Sequence, residues 1–529
     1  MADPDRSPES MQRSARSAFL VMCTTLASRI LGFVKMAVIG SVFGAGARAD
    51  VLHLVFVIPN NLRKLLAEGA LSSAFIPVVS DRIVRDPDGE SARKLVRRLL
   101  TFQMLLLIPI IGVSILFAPQ LIRVLLDFQN PEQQALATEL FRYIIPYLFF
   151  ISIAAILVGT LNSHNRFFVP AVAPLAFSIA VIAGIALFAQ RLDVFSMAAG
   201  VLAGGLLQLL ILVPQFRRLG YSFRPLSPRN DPHMQRILRQ WLPVLATAGV
   251  YTVNQQVAMR FASGLEPGSG SAMQNALVFW QLPFGLFSAS ITTVLFPRMS
   301  RQIASDDREG VRNTLETGLR YLVGLLVPSA VFLGLLGTET IASALQSGAF
   351  TRANSMLAGD VLGAYSLGLF SVGAYTFVQR YFYARGDYRT PLYTSALVLV
   401  IDVALSLWLK ETWLRVRGLA VAHSVAFTVG LSVLLIRVRH DAGQLDMRAF
   451  TSTIFRTLIA STGLAVYLLL LRLVLPPIFH DGRSVVSVSA IALIAAGGAG
   501  ITLSLMWALN IEVVTVFLRN RISKRRRGS

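Results

Sequence analysis

Cysteine is almost absent from this 529-residue chain, Cys23 being alone, which excludes disulfides and cysteine-based metal centres. Charge is scarce as well, at 15% of residues, and acids are scarcer than bases, 28 Asp and Glu against 49 Lys and Arg. The opening sixteen residues, MADPDRSPESMQRSAR, lack the short apolar core and small-residue cleavage site of a signal peptide. No HExxH, no phosphate-cradling GxxxxGK, no nucleophile–base set and no cluster of metal ligands occurs, so neither an enzyme nor a metal or organic cofactor is expected.

What fills the chain instead is apolar: 54% of residues are hydrophobic and the mean hydropathy is +0.62. A soluble protein of this size has no interior large enough for that surface, so the composition points to a protein spanning a membrane many times. The apolar runs last about 20 residues without alternating, which means helices rather than a barrel of short alternating strands. Fourteen spans are predicted, at 17–43, 51–79, 99–118, 140–162, 168–189, 195–214, 241–263, 272–297, 315–337, 357–384, 391–409, 418–436, 451–471 and 485–510. Lys and Arg crowd the N-terminus and every second loop, outnumbering those of the intervening loops by more than three to one. That asymmetry places both termini in the cytoplasm and accounts for the net charge of +21 as topology, with no nucleic-acid partner. The tail RISKRRRGS would lie against anionic membrane lipid, each cation contributing about 1 kcal/mol.

Two segments recur. LVFVIP (Leu54–Pro59) followed by AFIPVVSDR is echoed by LVFWQLP (Leu277–Pro283) followed by VLFPRMSRQ, the prolines 224 residues apart, and SHNRFFVP (Ser163–Pro170) is echoed 221 on by ARGDYRTP (Ala384–Pro391). Six spans fit that interval, so the second copy keeps the orientation of the first. The expected fold is therefore all-α and multispanning, two six-helix lobes related by a parallel repeat, plus two C-terminal helices. The parts are a polar cytoplasmic tail (1–16), a first lobe (17–216), a basic cytoplasmic linker (217–240), a second lobe (241–437), the last helix pair (451–510) and a polybasic tail (519–529).

Polar residues inside spans are the candidate site. Arg29 stands twelve residues into its span, about 18 Å deep at 1.5 Å per residue, beyond the reach of snorkelling. Facing lipid, it would cost about 2.5–3.5 kcal/mol, so it either lines a polar cavity or pairs with an acid in the bundle. Ser28 and Lys35, seven apart, share a face beside it, and Gly32 permits a bend. Asp50 opens the second span and would serve as an N-cap or a cavity group. Pro59 predicts a kink there, and Arg63, Lys64 and Glu68 follow it, the last two at a spacing that would also form an i,i+4 pair. Arg29, Lys35 and Arg63 make a cationic set that suits an anionic ligand, phosphate above all. In the second lobe, Asn254-Gln255-Gln256 and Arg260 make the seventh span polar. Asp402, twelve residues into the eleventh, is a candidate for proton or cation handling or else a paired structural acid, whereas His423 by itself carries no reading.

These residues lie in a longer pattern. ASRILGFVKMAVIGSVFGAGARADVLHLVFVIPNNLRKLLAEGALSSAFIPVV, with NRFFVPA, FAS followed by GSGS, and FYARGDYRTP, resembles the MurJ/MviN lipid II flippases of the multidrug/oligosaccharidyl-lipid/polysaccharide exporter superfamily. The resemblance spans most of the chain. It implies fourteen helices, a cavity between two lobes that opens inward and outward in turn, and movement of lipid II, the undecaprenyl-diphosphate-linked peptidoglycan precursor, across the bacterial inner membrane. By position it implies that Arg29 and Arg63 are cavity arginines and that Ser28, Asp50 and Glu68 are polar positions of the same site. Lys35 stands where the family commonly has Arg, and Met36 where it often has Asp. Val278 occupies the place of an eighth-helix cavity arginine and Gln281 that of a nearby acid, so Arg260 is the candidate to supply the missing second-lobe cation. The last two helices would form a groove for the polyprenyl tail. Membrane lipids and cell-wall synthesis proteins are the other expected partners, and coupling to a monovalent cation gradient or to the membrane potential is the expected energy source. Two alternatives remain: an exporter of another amphiphile or drug, and a non-transporting scaffold of cell-wall synthesis.

Overall fold

The computed structural model describes residues 8–66, 70–86, 88–229, 231–443, 446–474, 476–480, 482 and 484–515, and among these there are helices and no strands. Two compact units form, Met1–Gln256 and Val257–Ser529. The first contains α1 (Pro8–Phe43), α2 (Ala47–Leu66), α3 (Ala70–Arg85), α4 (Glu90–Leu116), α5 (Ala118–Leu125), α6 (Pro131–Ile144), α7 (Tyr147–Ser163), α8 (Phe168–Leu192), α9 (Phe195–Arg218) and most of α10 (Pro232–Ser263). The second takes the end of α10, then α11 (Ser269–Pro283), a π-helical turn (Phe284–Ser288), α12 (Ala289–Ala304) and α13 (Arg308–Leu345). It continues with α14 (Arg352–Ser366), α15 (Leu369–Ala384), α16 (Arg389–Leu409), α17 (Val416–Ala442), α18 (Met447–Val474), α19 (Pro476–His480) and α20 (Val485–Ala508).

Ten of these helices or helix pairs are long and apolar enough to cross a membrane, eleven if α14 and α15, bent by 47°, form one span. That is fewer than the fourteen expected. The helices outside the count are α1, α2 with α3, and α10. In α2 the reason is charge, since Arg48, Asp50, Arg63 and Lys64 all fall within its 20 residues. In α10 it is the Asn254-Gln255-Gln256 triplet. A hydropathy criterion accepts what lipid alone accepts, and α2 and α10 carry polar residues that need polar neighbours.

Within the first unit, α8 and α9 meet backbone to backbone. A Cβ on Gly184 would come within 2.8 Å of the Gly200 Cα, and one on Gly200 within 2.9 Å of the Val181 Cα. Small residues permit this approach where no hydrophobic effect drives helices together in lipid. The segment between α9 and α10 is docked through Tyr221, which joins the buried cluster with Phe75, Leu99 and Phe216, as do Met234, Ile237 and Trp241 of α10. Asp231 caps α10 by accepting from the backbone N–H groups of His233 and Met234, at 2.9 Å each, and pairs with Arg98 of α4. Tyr221 bonds His164 at 2.8 Å, and burial pushes its phenol up to about 12.

One helix-ending geometry occurs in both units. Asn165 N–H donates to Asn162 O and Arg166 N–H to Leu161 O; 221 residues on, Gly386 N–H donates to Tyr383 O and Asp387 N–H to Phe382 O. Asn165 and Gly386 both take the left-handed conformation this requires, at φ 56° and 73°. These are the SHNRFFVP and ARGDYRTP turns.

Candidate functional site

In the first unit the site is built on α1 and α2. Arg29 is exposed and Ser28 half-buried. Lys35, nearly two turns further along α1, lies over the Phe177 ring of α8, its Nζ 5.4 Å from the centroid. On α2, the Arg63 Nε donates to Asn60 Oδ1 at 3.1 Å. Helical side chains slant toward the N-terminus, so this bond draws the guanidinium back along α2. Arg63 and Lys35 come within electrostatic reach of each other there. Asp50 is buried, but its backbone N–H already donates to Gly46 O at 2.9 Å, so it sits inside the first turn and is not the N-cap. Glu68 lies outside the described residues, and with it the other half of its spacing with Lys64.

Two further polar side chains on α2 were not singled out by sequence. His53 is buried and within electrostatic reach of Lys35. Asn61, only 3% exposed, has neither amide atom hydrogen-bonded among the described residues. An orphaned buried amide costs about 1–3 kcal/mol, which packing alone would not select. The signal was there in LHLVFVIPNN, where polar residues interrupt a run that lipid would prefer unbroken.

In the second unit Asp402 has the partner that one of its two readings expects. It is 4% exposed and far from isolated: His423 Nδ1 of α17 stands 3.2 Å from its Oδ2, and the Ser406 hydroxyl donates to its Oδ1 at 3.3 Å. His423 is held between rings, 5.6 Å from Tyr365 and 4.5 Å from Phe427 by centroid. The residue that carried no reading alone is thus half of a buried acid–imidazole pair.

Arg260 is half-buried near the end of α10, with its carbonyl accepting from the Ser263 hydroxyl at 2.7 Å. The Gln274 side chain donates to Met259 Sδ at 2.9 Å, which sets the register between the end of α10 and α11. Val278, half-buried, lies one turn past Gln274, about 6 Å along the helix, and Gln281 is exposed. Among the described residues no group of three metal-ligating side chains gathers.

A family model described as lipid II flippase MurJ matches residues 39–489. The chain is 31% identical over 449 residues to the probable lipid II flippase MurJ of Borreliella burgdorferi, covering 85% of this chain and 88% of that one. It is 32% identical over 458 residues to the probable lipid II flippase MurJ of Rhizobium tropici, covering 84% and 85%. Among solved structures it is similar to lipid II flippase MurJ in an inward closed conformation, with a TM-score of 0.77 at 26% identity over 95% of this chain and all of that one. An inward-facing multidrug resistance MATE transporter of the MOP superfamily matches at a TM-score of 0.66 and 18% identity, covering 79% and 96%, a likeness of fold alone.

Proposed function

The chain belongs to the MurJ family of transporters, multi-pass proteins of the inner membrane and not enzymes, and on that premise we propose that it moves lipid II from the inner to the outer leaflet. The observation that carries the reading is the approach of Lys35 on α1 to Arg63 on α2, with the Arg63 Nε held by Asn60 and with Arg29 exposed on α1. Guanidinium groups bind phosphate oxygens through paired N–H donors, so this group suits a diphosphate. The sugar–peptide head then crosses through a polar interior while the polyprenyl tail stays in lipid, which spares a multiply charged group the cost of desolvation. We assign α1, α2 with α3, and α10 to the wall of that interior. That role fits their polarity and brings the spans to fourteen, in two parallel repeats with both termini cytoplasmic. Alternating access between the lobes completes the cycle, with α18 and α20 as the groove for the tail and the Asp402–His423 pair as the point of coupling to a cation gradient or the membrane potential.

Depleting the protein should make lipid II accumulate at the inner face, and a plasmid copy should restore its accessibility at the outer face. One observation favours a second reading: Val278 and Gln281 remove the charges expected on the eighth span, which suits a scaffold of cell-wall synthesis. Undiminished outer-face lipid II in depleted cells, together with lost recruitment of synthesis enzymes, would select the scaffold.

The position of Arg260 offers a reconciliation. If it supplies from α10 the cation missing at Val278, Arg260→Ala should cut flipping about tenfold or more, the value of one charge-assisted contact, and adding Val278→Arg should restore it. A silent Arg260→Ala, or a double variant no better than the single, means that the side chain only reaches for head groups.

A further inference from the structure

FYARGDYRTP, prominent in the sequence, takes no part in the cation group on α1 and α2. The residue of interest stands just before it. Arg380, on the last turns of α15, is exposed and makes no ion pair among the described residues. Its guanidinium carbon lies 5.9 Å from the ring centroid of Phe296 on α12 and 5.9 Å from that of Tyr383, one turn along its own helix. Tyr388, 55% exposed, continues the aromatic surface, its ring 5.8 Å from that of Tyr383 at an interplanar angle of 30°.

A solvated arginine with no acid to hold it would sample many rotamers. Here two rings hold the cation in place, which leaves its N–H donors available at the edge. A group fixed in this way loses little freedom on binding, so it suits a ligand that must be caught rather than merely attracted. The edge of the guanidinium matches two phosphate oxygens. The exposed Tyr388 ring beside it offers an apolar face of the size of a pyranose.

We propose that Arg380, Phe296, Tyr383 and Tyr388 form a capture site for a sugar diphosphate, with phosphate on Arg380 and the first sugar ring against Tyr388. The site rests on the lipid II reading and adds to it a first contact on the second unit. In the orientation assigned by the charge asymmetry, this end of α15 faces the cytoplasm, where the substrate is made. Phospholipid head groups share the phosphate chemistry, so the two sources must be separated by experiment.

The test uses the full chain in vesicles of phosphatidylcholine alone, with dansyl-labelled lipid II and, in parallel, undecaprenyl diphosphate carrying no sugar. Arg380→Gln should raise KM for lipid II about tenfold, the loss of one charge-assisted contact, with kcat unchanged. Phe296→Leu, which loosens the clamp and leaves the charge, should give a smaller rise in the same direction. Tyr388→Ala should raise KM for lipid II and leave that for undecaprenyl diphosphate unchanged. An unchanged KM in Arg380→Gln overturns the proposal. So does a rise that appears only when phosphatidylglycerol is added to the vesicles, because the phosphate bound would then be that of bulk lipid. Arg63→Ala, run alongside, reports on the diphosphate site itself: full activity there defeats the lipid II site on α1 and α2, whatever Arg380→Gln does.

Discussion

Arg63→Ala and Arg29→Ala are each expected to abolish complementation of a depleted strain, with flipping in vesicles falling about 100-fold and protein levels near normal. The size follows from the chemistry: a hydrogen bond to a charged group contributes about 1.5–3 kcal/mol, and the upper end of that range is a factor of about 100 in rate. Folding should survive because Arg29 is exposed and neither side chain belongs to the apolar core of the first unit. Arg63→Lys should recover only part of the activity, since a point charge lacks the planar fork and cannot reproduce the Nε bond to Asn60 that aims the guanidinium. Normal growth of both alanine variants at native expression would remove the cations from the mechanism.

How far the sequence foretells these positions depends on what each argument needed. Helices, the membrane and the paired turns were legible because they are local: about 20 apolar residues make a span, and a turn that ends in Asn165 in one unit and Gly386 in the other shows in the chain as a recurring short motif. Arg29 and Arg63 stand out in the sequence for the opposite reason, as charges that lipid would reject, and their role waits on the variants above. What could not be read was pairing across helices. Asp402 and His423 are 21 residues apart on two different helices, and no periodicity brings an acid on α16 to an imidazole on α17. His423 alone is therefore uninformative in the sequence, and nothing in the chain names the partner of Asp402. The clamp on Arg380 was invisible for the same reason, because Phe296 is 84 positions earlier in the chain. Among the described residues hydropathy alone registers ten or eleven spans and passes over α2 and α10, because it cannot tell a helix that faces a polar interior from one that does not cross.

The pairing of Asp402 changes what its substitution should do. An isolated buried acid would act by its own charge, whereas Asp402 stands 3.2 Å from the His423 Nδ1, so the two side chains are expected to act as one unit. One charge moved through 100 mV corresponds to about 2.3 kcal/mol, a factor of about 50 in an equilibrium between two states. Asp402→Asn should therefore lower flipping in energised vesicles by about that factor and abolish its response to an uncoupler, leaving the slow uncoupled rate unchanged. The amide keeps the shape and can still accept the Ser406 hydroxyl bond, so a structural role alone would leave the uncoupler response in place. If the two residues act as a unit, Asp402→Asn combined with His423→Gln should be no worse than Asp402→Asn alone, the non-additivity expected of side chains in contact. An Asn variant that flips at full rate and still responds to the uncoupler would mean that the pair only holds α16 to α17.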